Sequence, residues 1–214
     1  MRYPARMSTR TYALGAVAAL VVAIAGYFAF SSHQTGQQQA ALRGLIADST
    51  GLLREALEKA PSAEIAARLD ANLQAIKAAR DRAFADATEH YILGAREIAR
   101  RRLDASRLMR EAAEARQALA AHMARPAVPR ERWIHAAGEL KRRVETLHGD
   151  LGRVLKALDE NLESMADAQK RLAPHGATAS LVEPELIAAA RKRAQAEAAT
   201  AAADLEKARS LAPR

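Results

Sequence analysis

Six histidines, His33, His90, His122, His135, His148 and His175, are the side chains of this sequence best suited to binding a metal or moving a proton. A metal site needs several of them, or carboxylates, to converge on one point. Only Glu145 and His148 stand at the Glu-x-x-His spacing that places both on one helix face, the arrangement carboxylate-bridged di-iron bundles use. Such sites require a second copy and two further glutamates, and the second copy is missing. Cys-x-x-Cys-His, His-Glu-x-x-His, Gly-x-Ser-x-Gly and a glycine-rich phosphate loop are all absent. Helices this rich in alanine also offer few places for a concave apolar pocket. We therefore expect no enzyme activity, no metal and no other cofactor.

Charge supplies a second set of candidates. Three basic triplets stand out, Arg100-Arg101-Arg102, Lys141-Arg142-Arg143 and Arg191-Lys192-Arg193, in a chain of formal net charge +8. The first two triplets, with Trp133, form a candidate surface for an acidic partner protein; anionic lipid heads are the other candidate partner, but the stalk argued below would hold these two triplets away from the membrane. The competing reading is a solvated helix face, since Glu97, Asp104, Glu111 and Glu114 are interspersed at pairing distances. Trp133 likewise has a structural alternative as a cap over the end of a bundle. Nucleic acid is not expected, because the basic stretches lack interleaved aromatics and the compartment argued below is wrong for it.

The elements that position these residues begin with "TYALGAVAALVVAIAGYFAF", Thr11 to Phe30, which carries no charge. At about 1.5 Å per residue it spans about 30 Å, the thickness of a bilayer core. A cleaved secretory signal is the alternative, but its apolar centre is shorter and is followed by small residues. Here Tyr27, Phe28 and Phe30 crowd the exit, although Ala29, Ser31 and Ser32 leave a poor cleavage site. We read a retained signal-anchor. Arg2, Arg6 and Arg10 precede it and no basic residue follows before Arg43, so the N-terminus is expected in the cytoplasm and the bulk of the chain outside, in a bacterium the periplasm. The expected location is thus the inner membrane. With no cysteine, the exported part cannot use disulfides and must be held by packing alone.

Beyond the anchor the fold class is all-α. No stretch alternates with a strand's period of two, and turn residues mark helices near 38–60, 62–125, 130–172 and 184–210. The third carries a heptad seam from Ala137 through Val144, Leu151 and Leu158 to Leu172, running unbroken through Gly149 and Gly152, which predicts one continuous coiled-coil helix. Asn161 falls on the seam, where it either sets register with a partner amide or, in the preferred reading, yields its place to Leu162 by a small rotation. The last helix pairs alanines with few large residues and should be the least stable.

A helix as long as 62–125 cannot fold back at Pro61 beside a short first helix without entering the bilayer. Either Pro61 is a kink or the long helix breaks near Gly94. The kink is the preferred reading. The domain plan is then a cytoplasmic 1–10, an anchor 11–30, a polar spacer 31–37, a helical stalk 38–83, an antiparallel three-helix bundle 84–210 and a tail 211–214. The stalk exposes Leu42, Ile46, Leu53, Leu57, Leu69 and Leu73, so a second copy is expected to cover them and make a homo-oligomer.

These features point to a membrane-anchored helical scaffold that engages an envelope protein partner. The alternative is a ligand-sensing module acting through a partner. Its layout is similar to the periplasmic helical domains of chemoreceptors and sensor kinases, a likeness of architecture that covers no motif.

Overall fold

The computed structural model describes residues 9–77, 79, 81–125, 129–178 and 181–210, with side chains from Gln34 onward within those ranges. The protein is all-α. Its elements are α1 (Thr9–Glu58), α2 (Ala63–Ile76), α3 (Arg82–Met123), α4 (Arg130–Leu172), a 3-10 turn (Ala173–His175) and α5 (Pro184–Ser210). The chain forms two units, Met1–Ala41 and Leu42–Arg214. The expected span 11–30, the segment 1–10 expected in the cytoplasm and the tail 211–214 all lie outside the residues whose side chains are described. Among the described residues no helix is long and apolar enough to cross a membrane.

The second unit is a helical bundle with neighbours antiparallel. Lys59 to Ser62 reverses the chain: Asp48 accepts from Arg68 Nη2 and from Asn72 Nδ2, both at 2.8 Å, and Ser49 Oγ lies 2.9 Å from the same amide nitrogen. Ser62 starts α2 by accepting the Ile65 N–H, with Glu64 in the first turn against the positive helix end. Pro61 therefore marks a true reversal, and the stalk is not formed. What relieves the length conflict is a break neither expected position supplied. The long helix stops at Ile76, and Asp81 caps a new one by accepting the Phe84 N–H at 3.2 Å. Gly94 lies inside α3 and has another use: a Cβ built there would sit 3.0 Å from Met165 Cε of α4, so glycine leaves room for that methyl group.

The six residues assigned to an oligomer seam are core residues of this one chain. Leu42, Ile46, Leu53, Leu57, Leu69 and Leu73 are all buried and belong to one cluster with Phe84, Tyr91, Ile98, Leu155, Leu162 and Ile187. Their apolar faces are covered by α3, α4 and α5, so they need no second copy. A polar link crosses this core: Thr50 Oγ1 and Tyr91 Oη are 2.8 Å apart and buried, and desolvation pushes the phenol pKa above its usual value.

α4 and α5 occupy the ranges their periodicity predicts, and Gly149 and Gly152 lie inside one uninterrupted helix. The buried face of α4 is wider than the heptad seam, because His148, Leu155 and Leu162 are buried where Leu147, Val154 and Asn161 are only partly so. After α4 the chain turns at Gly176, whose φ of 67° is the left-handed conformation that favours glycine. The core thins along the bundle. Beyond Leu108 and Leu151 only a small second cluster remains, Ala115, Leu119, Val144 and Ala208 with their partly buried neighbours.

Candidate functional site

The basic triplets are largely spent on the fold. Arg100 and Arg96 both reach Asp70 of α2, at 2.7 and 3.1 Å. Burial alone would push the Asp70 carboxyl up, but the two guanidinium hydrogen bonds outweigh it and hold the pKa below the usual range. Arg102 and Arg193 converge from α3 and α5 on the carbonyl of Leu57, at 3.3 and 3.4 Å. That oxygen belongs to the last turn of α1, where it has no helical partner and the helix dipole is negative, so two arginines act there as a C-terminal cap. Desolvation, with the neighbouring Arg193 charge, lowers the Arg102 pKa, and Glu197 partly offsets this. Lys141 Nζ donates to the carbonyl of Arg209 at the end of α5 at 2.7 Å, the same device in a second place. Arg142 and Arg143 are exposed, and Arg101 has its Nε buried without a hydrogen-bond partner.

Trp133 is also internal. Its indole N–H donates to the carbonyl of His122 at 3.1 Å, its own carbonyl lies 2.9 Å from His122 Nε2, and the two rings stack at 5.4 Å. This reciprocal pair clamps the α3–α4 hairpin, and Trp133 is buried. It is the cap of the competing reading, and it presents no anchor for a partner.

What the structure brings together instead is a cleft between α3, α4 and α5, where the main core gives way to the distal cluster. It encloses about 340 Å³, within the range typical of small-molecule sites. Met109, Ala112 and Arg116 line it from α3, His148 and Leu151 from α4, and Arg193, Ala196, Glu197, Ala201 and Asp204 from α5. The alanines expected to preclude a pocket make this one: two helices present small side chains where leucines would have filled the space. Arg116 and Asp204 are paired across its rim, and Arg193 is turned to Leu57.

His148 is the distinctive group of the cleft. It is only 5% exposed. Its Nδ1 lies 2.8 Å from the carbonyl of Val144; a carbonyl can only accept, so Nδ1 carries a hydrogen, which in the neutral tautomer leaves the lone pair on Nε2. Among the described residues the one sealed side-chain polar atom lacking a partner is Arg101 Nε. His148 Nε2, for which no hydrogen bond is found, therefore keeps some solvent access, and His148 lines the cleft. The Glu-x-x-His pair singled this histidine out, but for metal binding; among the described residues no group of three or more His, Asp or Glu is placed to hold an ion. Its actual signal was subtler: a histidine beside the heptad seam, facing two helices of alanines.

Neither the family models, nor the curated proteins, nor the solved structures with which the chain was compared contain a match to it.

Proposed function

We propose that the protein is a single-pass, membrane-anchored helical bundle whose extracytoplasmic part is a non-catalytic ligand-binding module that signals through a partner protein. The anchor rests on the length of Thr11–Phe30 and its arginine flank. Between the two readings that the sequence allows, the scaffold drew on the exposed seam, the first two triplets and Trp133. The seam leucines and Trp133 are buried, and Arg100, Arg102 and Lys141 are engaged within the bundle. The cleft with its buried histidine carries the other reading.

Two measurements test the proposal. A reporter enzyme active only outside the cytoplasm, fused after Arg214, should be active; an inactive fusion contradicts the topology. Native mass spectrometry of the full chain in lipid nanodiscs should find a bound small molecule that is lost from Ala196→Trp, which obstructs the cleft from its exposed wall. Equal occupancy in both proteins contradicts the binding module.

A further inference from the structure

We infer that the α3–α4–α5 cleft takes a neutral molecule with an apolar body and one hydrogen-bond donor, a hydroxyl or N–H, which donates to Nε2 of His148. The inference rests on the cleft being the binding site and names what it selects.

Three observations converge on that class. The walls near His148 are apolar, with Met109, Ala112, Leu151 and Ala201 contributing, so most of a ligand's surface would be covered by carbon. Formal charge is balanced: Arg116 and Arg193 face Glu197 and Asp204, the Arg116–Asp204 pair is closed on itself, and Arg193 donates to Leu57. An anion would have to draw Arg116 or Arg193 from these contacts and a cation would compete with Arg102, whose charge Glu197 offsets, whereas a neutral ligand need do neither. Beside these walls stands an acceptor, Nε2 of His148, because the Val144 carbonyl holds an imidazole hydrogen on Nδ1. A ligand that covers this acceptor without donating to it strips it of solvent and returns nothing, so a ligand that donates gains over a shape-matched one that cannot. The asymmetry is the basis of selection: a site built to accept a hydrogen bond rejects the analogue lacking the donor much more strongly than it rejects a change of one methylene.

The test uses the full chain in lipid nanodiscs, labelled with nitrogen-15 at histidine, and three probes of similar body: 4-propylphenol, its methyl ether 4-propylanisole, and 4-propylbenzoate. The phenol should move the Nε2 resonance of His148 saturably and leave His135, exposed on the same helix, unchanged. It should bind at least about tenfold more tightly than the ether, a difference of about 1.4 kcal/mol. His148→Leu, which keeps an apolar side chain of comparable reach, should fold and bind phenol and ether alike by calorimetry. Equal affinity of phenol and ether for the unaltered protein would overturn the donor requirement, and preference for the benzoate would overturn the neutral class. In both cases the cleft would remain the binding site. If no probe moves His148, the binding-module reading fails with it.

Discussion

At Asp159, three donors from α5 meet one carboxylate. Arg191 donates from Nε at 2.9 Å and from Nη2 at 3.4 Å, and Gln195 Nε2 lies 3.2 and 3.3 Å from the two oxygens. The Arg191 hydrogen bond is the largest influence and lowers the Asp159 pKa below its ordinary 3.8; desolvation opposes it without prevailing. A folded-state pKa below the unfolded one means stability that is present above about pH 4 and lost as the pH falls further. Asp70, held low by Arg96 and Arg100, acts in the same sense. The melting temperature of the full chain should therefore fall as pH is lowered through about 4, and Asp159→Asn should flatten part of that fall. A variant with an unchanged acid profile would show that the contact between α4 and α5 carries none of it. At this scale the sequence displayed charges in abundance and could not show their partners. Arg102 meets a carbonyl 45 positions away and Arg193 meets the same one from 136 away, contacts to which no local pattern points.

At the scale of elements, helix type was legible almost everywhere and helix ends were legible where glycine or proline marked them. α4 and α5 follow from period and punctuation. The break between α2 and α3 carries neither residue; it depends on Asp81 finding the Phe84 N–H and on Phe84 stacking on His175 at 4.8 Å, a tertiary contact across the bundle. Missing that break made α2 and α3 a single long helix, and the long helix made a stalk seem necessary. The cleft was missed for a related reason. Alanine is read as close packing when its neighbours are unknown, yet alanines on two facing helices leave space. The corrected core has a measurable consequence. Leu53 is fully buried, and Leu53→Ala should cost about 2–5 kcal/mol by chemical denaturation, independent of protein concentration. A loss that depends on concentration would restore the intermolecular seam.

At the scale of the whole molecule, a core from Leu42 to Ala208 is enclosed by one chain, and the proposed anchor precedes it in the sequence. The bundle needs neither a disulfide nor a second copy to cover the leucines of α1 and α2, which suits the proposed export of a chain without cysteine. That lack of cysteine also permits the most direct test of an anchored bundle with its cleft open outside the cytoplasm. Single cysteines at Ala196, on the cleft wall, and at Ala199, exposed on the same helix away from it, would each be treated with a membrane-impermeant maleimide in intact spheroplasts. Both Ala196→Cys and Ala199→Cys should label without lysis, and saturating 4-propylphenol should slow labelling at 196 alone. Labelling of neither position until the cells are lysed, or equal rates at 196 with and without the phenol, would contradict it.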